Sequence, residues 1–421
     1  MLTELRHRAE LKLLPLAAPW VRRARRDQAM RDVLLAMPPA GKGSLGDQAI
    51  LQGLIDGLAS IAPHITVQQL MRQDWKPTET AEPSAYEPVV MGRNPERFSH
   101  FMHALGTARG FGVLGADVMD GKYGDLISLR LMSVANLAAA AGTPSALMGF
   151  SLSGQSSEAT CQAFRSLHRN VAVRNRDCVS QERFNTITST KRSELSADLA
   201  FLMQPRLRSE PAKDAAAFIE NARAGGHTIL GFNGNSLNVE PDERPAYTER
   251  LAFLLTTLLD ERPNISVVMI PHDLRKHHSD LETAETVFAQ MPEQLQKRIT
   301  ILRPPIDAWD VKAVAGLCDF VFAGRMHLAI ASLGSGVPVA CTVYAGKFEG
   351  LFHHFHLPSD GLITPEDVMQ APQNAAQRLA RLLDDRERTA QLVSSQLGSV
   401  KEQARRNIQA ALPDITSTKA A

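Results

Sequence analysis

The chain has little of what would mark a disulfide scaffold, a membrane bundle or a nucleic-acid binder. It has four cysteines in 421 residues, Cys161, Cys178, Cys318 and Cys341, with no C-x-x-C pair and no metal-ligand spacing. Nothing therefore calls for an oxidising compartment, and Cys318 and Cys341, beside or within apolar runs, are expected as small core residues. No apolar run approaches the roughly 20 residues that span a bilayer. The formal net charge is +1, so the overall field gives no argument for nucleic acid. A Walker A loop is missing too, because no lysine followed by Ser or Thr closes a G-x-x-x-x-G.

What is present is ordinary globular composition, with 44% hydrophobic and 22% charged residues. The length exceeds one ordinary core and suggests two or three domains. Apolar runs alternate with helical stripes throughout, the pattern of parallel sheets covered on both faces. Expected strands are 33–37, 65–71, 111–116, 145–150, 171–174 and 199–203, then 227–232, 265–270, 299–302, 319–322 and 337–343. Between 205 and 226 the chain turns small and polar and the pattern restarts. The expected division is a basic extension 1–31, a Rossmann-like domain 32–205, a second one 226–365 and a helical tail 366–421.

Residues 1–31 hold eight Arg or Lys against three acids, with Leu11, Leu13, Leu14, Leu16, Trp20 and Val21 among them. The apolar part is too short to span a membrane, and no small-residue cleavage site follows it. Two readings stay open: a segment lying on an anionic membrane surface, and a solvated helix packed on the first domain.

Residues 323–330, Ala-Gly-Arg-Met-His-Leu-Ala-Ile, set Arg325 beside His327 where an apolar strand turns into a helix. Ligands of parallel α/β sheets sit outside the carboxyl ends of the strands, where helix N-terminal amides favour negative charge. Arg325 offers a planar fork suited to carboxylate or phosphate, and a histidine can exchange a proton near neutral pH. Taken alone, the pair reads more readily as a surface ion pair and a core contact. Gly334, Gly336, Pro338, the apolar run 337–343 and Tyr344-Ala345-Gly346-Lys347 follow, however, and would bring Lys347 to the same sheet edge. Three cations there suit an anionic ligand. From Arg325 to Lys347 the chain resembles the signature of the polysaccharide pyruvyl transferase family: an apolar strand, a small residue, R-M-H, an alanine- and glycine-rich helix, V-P, and a strand ending in a lysine after a tyrosine.

Other segments extend the resemblance. Residues 41–49, Gly-Lys-Gly-Ser-Leu-Gly-Asp-Gln-Ala, are similar to the family's N-terminal G-(N/S)-x-G-D. That makes Asp47 a candidate for holding or deprotonating an acceptor hydroxyl, against the plainer role of a helix N-terminal carboxylate. Asp117 and Asp120 follow a strand where the family has an aspartate-containing loop, which implies acceptor contact for Asp117; both could equally be loop and cap residues. Val173 to Ser180 looks like the family's strand-ending arginine followed by R-(D/E)-x-x-S. Arg174 is the expected donor contact, with Arg176 competing for the role. Pro271-His272-Asp273 matches the family's P-H strand end and implies an acceptor contact for His272. A metal site from His272, His277, His278 and Asp280 is not expected, since they lie in a loop without an i, i+4 pair.

The resemblance covers about residues 41–350. It implies two Rossmann-like doubly wound domains facing across a cleft, similar to the GT-B glycosyltransferases. It also implies phosphoenolpyruvate as donor and co-substrate, no cofactor, and a sugar of a polysaccharide or its lipid-linked precursor as acceptor. The product would be a pyruvate ketal. In this reading Arg174, Arg325 and Lys347 clamp the donor, His327 supplies a proton and Asp47 is the base. The expected location is cytoplasmic, with peripheral contact to the inner face of the membrane and self-association both left open. Two alternatives remain: a nucleotide-sugar glycosyltransferase on the same scaffold, and a non-catalytic component of a polysaccharide assembly complex.

Overall fold

The computed structural model describes residues 2–38, 44–71, 83–86, 95–115, 117–122, 124–275, 280–343, 346 and 348–415, without the side chains of 2–7, 71, 83–86, 95, 97, 117 and 118. The apolar runs form two sheets whose strand pairings are all parallel. Their central strands, such as Ser145–Phe150 and Ile265–Met269, are buried along their whole length. That is why they read as continuous apolar runs rather than alternating ones.

The first sheet contains β1 (Arg31–Met37), β2 (Thr66–Met71), β3 (Pro83–Tyr86), β4 (Ala108–Leu114), β5 (Ser145–Phe150), β6 (Val171–Asn175) and β7 (Ser193–Leu195), in the order β3-β2-β1-β4-β5-β6-β7. The second contains β8 (Thr228–Asn233), β9 (Ile265–Met269), β10 (Ile299–Ile301), β11 (Phe320–Ala323), β12 (Val339–Thr342) and β13 (Leu362–Ile363), in the order β10-β9-β8-β11-β12-β13. Counted within each sheet, both run 3-2-1-4-5-6, the doubly wound Rossmann order, and the first adds a seventh strand. The direction in which successive strands are added reverses between β1 and β4 and between β8 and β11. Those are the switch points where such sheets bind ligands.

The chain divides into two compact units. The first comprises residues 1–42, 50–203 and 401–421; the second comprises 43–49 and 204–400. Residues 1–31 belong to the first unit. Leu14, Ala17, Ala18 and Val21 enter its core, Arg8 pairs with Asp125 at 2.9 Å, and Arg25 donates to the carbonyls of Gly106 and Ala108. In the second unit, the helix Pro372–Asp384 buries Ala375, Ala376, Leu379, Ala380 and Leu383.

One expected strand is absent. Leu199–Leu202 is a 3-10 helix, capped by the Asp198 carboxylate accepting from the Ala200 amide at 2.8 Å; the strand of that region is β7, six residues earlier. A buried apolar run this short fits either state, so periodicity cannot decide between them.

Candidate functional site

The second switch point gathers four strand-end segments. After β11, Arg325 caps the helix Met326–Gly334, which carries His327 in its first turn. β8 ends at Asn233 and is followed by Gly234 and Asn235, and the Asn235 side-chain amide donates to the Gly324 carbonyl at 3.0 Å. A Cβ at Gly324 would lie 2.8 Å from backbone and side-chain atoms of Asn233 and Asn235, so the two strand ends meet only because that residue is glycine. After β9 come His272 and Asp273. Residues 44–48 complete the group within the same unit: Ser44 bridges to Asp273 in antiparallel fashion, and the Gln48 side chain accepts from the Ala308 amide at 3.0 Å.

Gly46 brings Asp47 to this edge. A Cβ on Gly46 would sit 2.4 Å from Nδ1 of His327, so the glycine-rich turn closes directly on the histidine ring. The His327 and His272 rings lie nearly parallel, 13° apart with centroids separated by 6.4 Å. Burial lowers the His272 pKa to about 3, helped by the charges of His327 and Arg325. His272 therefore stays neutral, and offers one donor and one acceptor nitrogen rather than a charge.

Asp280 ties the group together. It is buried, opens the helix Asp280–Ala289, and accepts from the backbone amides of His272 (3.0 Å) and Asp273 (3.1 Å) and from the Asn233 side chain (3.1 Å). It also takes the Arg325 fork, with Nε and Nη2 at 3.0 and 2.7 Å from Oδ1. The third Arg325 nitrogen, Nη1, lies 3.7 Å from Asp273. Burial alone would raise the Asp273 carboxyl, but hydrogen bonds from Arg275 and the Arg325 charge outweigh it and hold the pKa below its usual value. The Arg275 side chain grips Asp273 at 2.6 and 3.0 Å, and its pKa rises through that bond and the nearby charge of Asp47. The arrangement is an arginine held rigidly by buried carboxylates, beside a neutral histidine and a second histidine whose ring faces it. It can bind an anion in exchange for carboxylate contacts and pass a proton to or from it.

Asp47, His272, Arg325 and His327 thus share one neighbourhood. Arg174 and Asp117 belong to the first unit, and Lys347, like His277 and His278, lies outside the described residues. Asp117 sits in a short 3-10 turn after β4; its side chain is not described. Its neighbour Asp120 is fully buried and accepts from the Lys122 amide at 3.0 Å, a loop-closing role. Arg174 lies near the carboxyl end of β6, opposite its ion-pair partner Glu194 on β7, and its Nε has no hydrogen-bond partner among the described residues.

Arg176, its competitor, is sealed. It pairs with Asp198 at 2.8 Å, with both side chains almost fully buried, and its Nε donates to Ser151 at 2.6 Å. Asp177 accepts from Ser151, from the Ser180 amide and from the Ser180 hydroxyl, and the Ser180 hydroxyl accepts from the Leu152 amide. The R-D-x-x-S spacing here is an ion pair followed by a helix N-cap. Reasoning from sequence missed Asn233, Asn235 and Arg275, and noticed Asp280 only as part of a His-rich loop. The available signals were an Asn-Gly-Asn at a strand end and an aspartate opening a helix.

The polysaccharide pyruvyl transferase family model matches residues 99–346. No curated protein matches the chain in sequence. Among solved structures, the chain is similar to a UDP-GlcNAc 2-epimerase from Neisseria meningitidis bound to UDP-GlcNAc, at 9% identity over 91% of this chain and 100% of that one, with a TM-score of 0.54. It is also similar to an alpha,alpha-trehalose-phosphate synthase (UDP-forming) from Burkholderia vietnamiensis, at 11% identity over 94% and 99%, with a TM-score of 0.52. At such identities these likenesses speak to the fold, two Rossmann-like domains of the GT-B kind, and to nothing finer.

Proposed function

Because the chain belongs to the polysaccharide pyruvyl transferase family, we propose that it moves pyruvate from phosphoenolpyruvate onto two hydroxyls of a glycan or its lipid-linked precursor. The observation that carries this reading is the convergence of Asp47, His272, Arg325 and His327 at the switch point of the second sheet. The reaction needs an anion clamp, an acid and a base, and these residue types supply each.

In the proposed sequence, His327 gives a proton to the methylene carbon of the enol phosphate, and the adjacent carbon becomes electrophilic. A sugar hydroxyl adds there and loses its proton to Asp47. The carbon–phosphate oxygen bond breaks and phosphate leaves with its electron pair. A second sugar hydroxyl then adds at the same carbon and closes the ketal ring, and its proton goes to the expelled phosphate. Arg325 holds donor charge, oriented by Asp280, while neutral His272 forms a wall of the acceptor subsite without repelling the acid beside it.

Arg174 and Lys347 are proposed as further donor contacts and Asp117 as an acceptor contact, on the family resemblance. The enzyme is proposed to act in the cytoplasm without a cofactor. Incubation with phosphoenolpyruvate and a panel of glycans tests the reading. Phosphate release matched by a pyruvate mass increment on the glycan is the expected result; release with no such increment, or none on any acceptor, counts against it. A glycosyltransferase would instead be stabilised against heat by a nucleotide sugar.

A further inference from the structure

The positive charge of this chain is concentrated at one place. Residues 1–31 carry eight basic and three acidic residues, leaving 38 basic and 42 acidic of the chain's 46 and 45. The same segment holds most of the misplaced apolar surface. Six large apolar side chains are exposed among the described residues, and four of them, Leu13, Leu16, Trp20 and Met30, lie between positions 13 and 30.

The helices of this segment, Leu2–Leu13 and Ala18–Asp27 with the 3-10 turn Leu14–Ala17 between them, present two apolar faces. Leu14, Ala17, Ala18 and Val21 form one, buried in the first unit. Leu13, Leu16 and Trp20, spaced three and four residues apart, form the other and are 60%, 74% and 61% exposed. Trp20 is braced edge-on against Phe98 at 5.7 Å, so the ring is held outward rather than folded away. Lys12, Arg22, Arg23 and Arg26 of the same segment are exposed, Arg22 donating to the Ala140 carbonyl and Arg23 pairing with the exposed Asp27, while Arg8 and Arg25 are turned inward onto Asp125 and backbone carbonyls. An apolar strip with a tryptophan, rimmed by cations, matches the headgroup layer of a bilayer: rings and leucines enter the acyl boundary and the cations meet phosphates. Nucleic acid would use the cations and leave the leucines in water. No helix among the described residues is long and apolar enough to cross a membrane.

We infer that the outer face of residues 12–30 is a docking surface for an anionic lipid bilayer, entered by Leu13, Leu16 and Trp20. The surface lies on the first unit and stands whether or not the proposed reaction is correct.

Sedimentation of the full chain with phosphatidylcholine vesicles, with and without phosphatidylserine, tests it. Binding to the anionic vesicles is expected, with a blue shift of tryptophan emission that Trp20→Phe removes. Binding should weaken sharply as added salt shortens the screening length. Leu16→Ser with Trp20→Ser should weaken it by roughly tenfold or more per residue, and Lys12→Glu with Arg26→Glu should act through charge alone. Because these side chains are largely exposed, the variants stay folded, with melting temperatures within a few degrees of wild type even where the Trp20–Phe98 contact is lost. That separates loss of the surface from loss of the fold, which a deletion of residues 1–28 would not, since it strips Leu14, Ala17, Ala18 and Val21 from the core. The inference is overturned if the anionic vesicles do not bind the wild type, or if the variants bind them as well as it does. Self-association or duplex binding that the same variants abolish, without vesicle binding, overturns it equally.

Discussion

Arg176 and Arg325 share a local setting, although Arg325 follows the switch-point strand β11 and Arg176 follows β6, two strands from the switch point of its sheet. Each follows a strand, precedes a helix and pairs with a buried aspartate. Arg176 and Asp198 are sealed, with side chains 1% and 3% exposed, and their contacts include a serine hydroxyl and the cap of a 3-10 turn. Arg325 keeps 15% exposure and stands with two facing histidine rings and the turn that carries Asp47. The difference teaches that an arginine at a strand end is architecture when its partners close around it, and chemistry when titratable groups share its edge. Burial and neighbours decide this, not the motif.

The comparison is sharpened most by removing the histidine that has no counterpart beside Arg176. His327→Gln keeps a hydrogen bond but cannot transfer a proton, and turnover should fall by about 10²- to 10⁴-fold with little change in donor affinity. Single-turnover kinetics on the folded variant check this; retained turnover would place proton transfer elsewhere.

The two arginines should then fail in different ways. Arg176→Ala leaves Asp198 buried without its cation and should cost about 3–5 kcal/mol of stability, read from denaturant unfolding. Arg325→Lys should keep the fold and raise the donor KM, since one ammonium cannot reproduce a bidentate fork. If the losses were reversed, with Arg325→Lys unfolding the protein and Arg176→Ala merely slowing it, the distinction would collapse.

Gly46→Ala is a milder test of the same edge. Its methyl group would meet Nδ1 of His327 at 2.4 Å, so the ring or the turn must give way. Overpacking of this kind costs about 1–3 kcal/mol, and activity should drop more than stability because the displaced group is the proposed acid. An unchanged rate would show that the turn does not press on His327 in solution.

The remaining test is the pH dependence carried by His272. Its folded pKa of about 3 lies below the unfolded value of 6.5, so the unfolded chain binds the proton first as pH falls. Stability contributed by this group is full above pH 6.5 and is lost progressively between there and about pH 3, at no more than about 1.4 kcal/mol per pH unit. Unfolding of His272→Gln followed across that window should show a shallower slope than wild type. An identical slope would mean the imidazole is not held neutral by its burial.

Much of this was legible in the sequence. The alternation of apolar runs and helical stripes locates most strands of both sheets, because buried parallel strands are continuously apolar. It misses the short strands β3, β7 and β13, and it fails at Leu199–Leu202, where an N-cap aspartate and not the apolar pattern selects the helical turn. At the site, Arg325, His327, Asp47 and His272 were visible because each sits at a strand–helix junction with a distinctive neighbour. Asp280 was not, since its role depends on bringing the ends of β8, β9 and β11 to one carboxylate, which no spacing along the chain encodes. The sequence favoured Arg174 over Arg176 only for lying nearer the strand end; the burial of Arg176 against Asp198 is a separate argument that no spacing along the chain encodes.

A donor-bound structure tests the central claim most directly. With phosphoenolpyruvate present, its phosphate or carboxylate should lie within hydrogen-bond distance of Arg325 and His327 at the ends of β8, β9 and β11. Donor bound only in the first unit, with Arg325 still fully engaged by Asp280 and Asp273, would contradict it.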